Sequence, residues 1–156
     1  MFGIYSLHMT RVLLLLLFVI GVASAPALAR EEVAGPVAAE ILRVIDGDTL
    51  LVEARPWPQQ KMEVYVRIRG IDAPEIKSKC ARFREAGMNA RQALEILASS
   101  SPQIQLTHIS GDKYFGRIVA DVILSDGRSA AEGLLRAGLV NAYDGGRKPR
   151  EACPVN

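Results

Sequence analysis

The chain has 156 residues, 49% of them hydrophobic, with 19 Lys and Arg against 17 Asp and Glu. That length and composition suit one globular domain with a sizeable core, and a net charge of +2 excludes a globally basic nucleic-acid coat. Of the two histidines His8 falls in the expected signal segment, and one histidine with two widely separated cysteines can assemble neither a zinc site nor a histidine-based hydrolytic mechanism, so any chemistry must run on carboxylates, arginines and a hard cation.

Residues 1–29 carry one strong charge, Arg11, then "VLLLLLFVIGVA" and the small residues Ala27-Leu28-Ala29. This is the pattern of a secretory signal, with cleavage expected after Ala29; a cut after Ala25 is disfavoured by Pro26 next to it. Met9 opens a complete signal by itself. The alternative is an uncleaved membrane anchor over residues 12–29, an apolar run diluted by Ser24, Pro26 and the alanines. No cysteine lies near the cleavage site, which excludes a lipoprotein anchor. The expected product is a secreted or periplasmic monomer without stable membrane association. Without Arg11, 18 basic residues face 17 acidic ones, and His108 is the one histidine left.

Residues 30–37, "REEVAGPV", read as a flexible lead to a domain over 38–147, with a tail over 148–156. "AAEILRVI" and "TLLVEA" form a strand pair across an Asp-Gly turn. The run Arg55-Pro56-Trp57-Pro58-Gln59-Gln60 is a loop, since its prolines cannot donate to a ladder. In "EVYVRIRGI" the residues Val64, Val66 and Ile68 alternate with Tyr65, Arg67 and Arg69, so a strand turns both arginines away from the valines.

After the bend Asp72-Ala73-Pro74-Glu75, a helix runs from about Ala81 to Ala98, with Phe83, Gly87, Ala90, Leu94 and Leu97 at helical spacing. Around its start Lys77, Lys79, Arg82, Arg84 and Arg91 face only Glu85, a solvated or substrate-facing basic surface. "QIQLTHI" and "GRIVADVIL" are further strands, the second closed by the turn Ser125-Asp126-Gly127-Arg128. Ser129 and Glu132 form a capping-box pattern for a helix ending before Gly138. The order is three strands, helix, two strands, helix. It predicts an α+β, mainly β fold: a five-stranded Greek-key barrel of the OB type, with one helix after strand 3 and a second after strand 5.

Five residues then stand out: Asp48, Arg67, Asp72, Glu75 and Arg117. Two aspartates with backbone and water oxygens suit calcium, but not as an EF-hand, because Leu51 and Trp57 fall where its glycine and bidentate glutamate belong. Arginines on both sides of a phosphate stabilise charge developing on its oxygens, and a free glutamate can take a proton from attacking water.

The motifs "VIDGDT", "VRIRGIDAPE", "GDKYFGR" and "AAEGLLRAGLVNAY", in this order and spacing, resemble the thermonuclease family, the staphylococcal-nuclease-like phosphodiesterases, over about residues 39–147. The resemblance implies that Asp48, Asp72 and the carbonyl of Ala73 bind Ca²⁺, that Glu75 is the general base or orients the water, and that Arg67 and Arg117 clamp the transition state. Arg67 is preferred to Arg69 because the family's arginine lies five residues before the second aspartate. Lys113 and Tyr114 match contacts to a terminal phosphate, and Tyr143 a nucleotide-contacting tyrosine. The implied reaction is calcium-dependent hydrolysis of DNA or RNA, water expelling the 5′ oxygen to leave 3′-phosphate ends. Two departures stand against the family's pattern: Phe115 interrupts its lysine-tyrosine-glycine-arginine run, and no third helix is expected before Asn156. Alternatives of other classes are a catalytically silent OB-fold module that only binds nucleic acid, and a polysaccharide-associated accessory protein. Finally, a signal peptide and a single pair of cysteines predict a Cys80–Cys153 disulfide.

Overall fold

Alternating apolar residues build the barrel. The computed structural model describes residues 31–146 and Cys153, and the chain from Glu31 onward forms one compact unit. The expected signal segment and, except for Cys153, the tail lie outside the described residues. β2 (Val37–Asp46) and β3 (Thr49–Arg55) form the expected hairpin. β3 pairs with β4 (Met62–Ile68), which runs parallel to β7 (Arg117–Leu124). β7 pairs with β6 (Gln103–Gly111), and β6 returns to β2, closing a five-stranded barrel of mixed direction. Leu50, Val52, Val66, Ile68, Leu106 and Val122 fill it and are essentially inaccessible to solvent. Each such side chain contributes about 1.5–3 kcal/mol of burial free energy.

Two helices close the barrel's surface. α1 (Ala81–Ser100) buries Gly87, Ala90 and Leu94, three of its predicted apolar positions, and lies against β2. α2 (Ala130–Arg136) starts at Ser129, whose hydroxyl accepts from the Glu132 backbone N–H as the capping pattern requires. Three short strands were not anticipated. β1 (Glu32–Val33), within the expected flexible lead, pairs with Ser110 and Ile109 of β6. β5 (Ile71–Asp72) pairs with β8 (Asn141–Ala142), so Asp72 lies opposite Asn141. Runs of two residues are too short to show a periodicity.

Two glycines hold the segments that carry the acidic residues. In the β2–β3 hairpin the two turn residues are Gly47 and Asp48, between the paired Asp46 and Thr49, one residue later than an Asp46-Gly47 turn. A Cβ on Gly47 would come within 2.6 Å of the Ala90 Cβ and 2.8 Å of the Ala73 Cβ. The glycine therefore lets helix α1 and the Ala73 bend approach the hairpin directly. A Cβ on Gly87 would meet the Pro74 carbonyl at 2.5 Å, so the bend after Asp72 rests on the helix through a second missing side chain. Cys80 and Cys153 are bonded, with Cα atoms 5.6 Å apart. The bond ties the tail to the residue that precedes α1. Among the described residues no helix is long and apolar enough to cross a membrane.

Candidate active site

Asp48 is 4% exposed and almost fully engaged. Its Oδ1 accepts from Thr49 Oγ1 at 2.9 Å, and its Oδ2 from Arg67 Nη1 at 2.7 Å and from the Ala73 backbone N–H at 3.0 Å. The register of β3 on β4 sets Thr49 opposite Arg67, which brings that guanidinium to the hairpin turn. Its other terminal nitrogen donates to Asp72 Oδ1 at 2.8 Å and to the Ile71 carbonyl at 3.1 Å. Burial works against the charge on Arg67, but Asp48 and Asp72 outweigh it and raise the guanidinium above its ordinary value. Asp46 next door is pushed up, first by burial and then by the Asp48 charge.

Tyr143 backs this cluster. The β5–β8 pairing carries its N–H to the Gly70 carbonyl, and the Arg67 guanidinium sits 5.6 Å from its ring centroid. Arg117 opens β7 opposite Tyr65 in the parallel ladder with β4, two positions from the pairing of Arg67 with Val119. It shares the barrel's outer face with Arg67. Its Nε donates to Asp112 Oδ2 at 2.5 Å, and its guanidinium lies 4.7 Å from the Tyr114 ring centroid. Burial opposes the ionisation of Asp112. The Arg117 hydrogen bond, the Lys113 N–H and the charges of Arg117 and Arg67 nevertheless hold its carboxyl below the ordinary range. Asp112 thus feels both arginines.

The inserted Phe115 does not separate Tyr114 from Arg117. The Arg117 N–H bonds the Tyr114 carbonyl at 3.3 Å, and Gly116 takes φ +79°, so the extra residue is absorbed in a tight turn. Lys113 lies beside the same tyrosine, its Nζ 5.0 Å from the ring centroid.

Glu75 stands apart. It is exposed in the bend, with Oε1 accepting from the Lys77 N–H at 3.1 Å, and no hydrogen bond or ion pair among the described residues joins it to either arginine. Arg69, although it also leaves the core side, diverges from Arg67: its Nη2 reaches the His108 and Val119 carbonyls and Ser110 Oγ, and its Nε lies 3.7 Å from Asp121. The sequence reading overlooked Asp112, which opens the "DKYFGR" run and orients its arginine.

Among the described residues no three His, Cys, Asp or Glu side chains converge as a ready metal cluster. The expected calcium set has only two carboxylates, and both are bonded to one guanidinium. That donor chemistry fits a hard cation completed by main-chain and water oxygens.

The fold is a closed mixed barrel of OB type, with Arg67 gripped by Asp48 and Asp72 and with Arg117 two ladder positions away. Residues 65–153, more than half of the chain, match the family described as staphylococcal nuclease homologue, and the chain belongs to that family. A comparison with curated proteins returns no match.

Proposed function

We propose that the protein is a secreted, calcium-dependent nuclease that hydrolyses DNA or RNA to 3′-phosphate ends. The observation that carries the reading is the double engagement of Arg67 by Asp48 and Asp72 beside Arg117, in a chain of the nuclease family. Arg67 and Arg117 bind the non-bridging oxygens of the scissile phosphate and strengthen their hold as charge grows there. Glu75, exposed and free of both arginines, is available to a water and takes its proton. Lys113 and Tyr114 hold a terminal phosphate, and Tyr143 supports Arg67 and contacts the nucleotide. Asp48, Asp72 and the Ala73 carbonyl hold calcium, which when bound supplies further positive charge against the phosphate. Recognition through phosphates and stacking makes cleavage insensitive to sugar.

The test is degradation of denatured DNA by the purified protein with calcium and with chelator. Acid-soluble fragments in calcium alone support the reading; undiminished cleavage in chelator removes the metal site. Binding without cleavage in either condition makes the chain a silent binding module.

A further inference from the structure

Beyond the arginine clamp, the β6–β7 turn presents an aromatic ring that none of the roles above uses. Phe115 is fully exposed at the turn tip, and Tyr114 beside it is 56% exposed. Isolated exposed apolar side chains are ordinary. Phe115 differs in the turn that carries it and in its place along the chain. Asp112 grips both ends of the turn, accepting from the Lys113 N–H and from Arg117 Nε, each at 2.5 Å. Its own N–H donates to the Arg117 carbonyl at 3.1 Å. With the Tyr114–Arg117 hydrogen bond, these contacts tie the two ends of the turn together, and Gly116 takes positive φ at its tip. Along the chain Phe115 lies between Lys113 and Arg117, whose cationic groups sit 5.0 and 4.7 Å from the ring centroid of the adjacent Tyr114. Two residues of chain put the Phe115 Cα within about 7 Å of that of Arg117. Across the ladder from Arg117, Tyr65 exposes another ring on the same outer face.

We propose that Phe115 is a base-stacking residue: a ledge that takes the face of an unpaired nucleobase next to the phosphate bound by Arg117. Cations spaced by an exposed ring match the alternation of phosphate and base along a single strand. A duplex offers no free base face, because each is covered by its neighbours, so the ledge adds affinity for single strands alone. The turn's backbone is already tied, so binding has only the Phe115 side chain left to order. The inference rests on the nuclease reading only for the identity of the phosphate at Arg117.

The test compares wild type, Phe115→Ala and Phe115→Trp. Affinity for a labelled single-stranded oligothymidylate and for a long blunt-ended duplex is measured in chelator by fluorescence anisotropy, and cleavage is followed in calcium. Phe115→Ala is expected to weaken single-strand binding about tenfold and to raise KM by a like factor, with kcat and duplex affinity within about twofold of wild type. Phe115→Trp restores binding. Unchanged single-strand affinity in Phe115→Ala, or an equal loss for duplex, overturns the ledge; cleavage by the same preparations then leaves the nuclease reading standing. A wild type that cleaves neither substrate, with the selective affinity loss still present, keeps the ledge and overturns the nuclease reading.

Discussion

Arg67 donates to Asp48 at 2.7 Å and to Asp72 at 2.8 Å, so one guanidinium spans two carboxylates from separate turns of the barrel. The arginine is 14% exposed and Asp48 5% at the side chain. Two acidic groups held this close need a counter-charge, and the guanidinium supplies it. Together with Tyr143 against its face, this fixes Arg67 at the rim of the acidic pair.

If the pair also binds calcium, the ion stabilises the folded chain by mass action. Millimolar calcium is expected to raise the melting temperature of the wild type and to leave that of Asp48→Asn unmoved, as read by differential scanning calorimetry. An equal rise in both proteins removes Asp48 from the ligand set.

Arg117→Ala and Glu75→Gln should each slow turnover at least about a hundredfold with the fold retained, the scale of losing one group that acts in the transition state. Arg69→Ala acts on stability instead. Its bonds to the His108 and Val119 carbonyls and to Ser110 join the turn after β4 to β6 and β7, and their loss should cost about 1–2 kcal/mol in urea denaturation with far less effect on turnover. A hundredfold turnover loss in Arg69→Ala, with Arg117→Ala near wild type, reverses these assignments.

The barrel was legible because its strands alternate cleanly: Val64, Val66 and Ile68 face inward and Tyr65 outward along β4, as the period of two demands. The grouping of Asp48, Arg67 and Asp72 was legible only through the motifs, since no local pattern in "VIDGDT" says which residue will face it across the ladder. The turn position in that stretch was misread by one residue. Gly47 there serves a close approach to Ala90 and Ala73, a tertiary fact invisible to turn chemistry. Asp112 escaped notice because its partner, Arg117, meets it across a turn whose geometry the inserted Phe115 obscured.

The Cys80–Cys153 bond closes a loop with a sequence separation of 73, worth roughly 4 kcal/mol in the chain-entropy model. Reduction, or Cys153→Ser, should lower the melting temperature by on the order of 10 °C. Mass spectrometry of the unreduced protein should show one cross-linked peptide. Two freely alkylated thiols, or an unchanged melting temperature, contradict the bond's role in holding the start of α1.

Acid should loosen the β6–β7 turn. The Asp112 carboxyl is held below the ordinary value near 3.8, so the ionised form is the one bound in the folded state. Its contribution to stability is complete above that value and is lost as pH falls through the depressed folded one. Asp112→Asn should flatten the acid limb of stability against pH, measured by urea denaturation from neutrality to strong acid. An unchanged acid limb in the variant removes the Asp112–Arg117 contact as its source.

The most direct measurement of the central claim is cleavage of a 5′-labelled denatured DNA oligomer in calcium by wild type and Arg67→Ala, with circular dichroism of both. Wild type is expected to release fragments ending in 3′-phosphate, and the variant, folded, to cut at least about a hundredfold more slowly. Cleavage by folded Arg67→Ala at the wild-type rate, or a wild type that binds the oligomer without cutting it, contradicts the account.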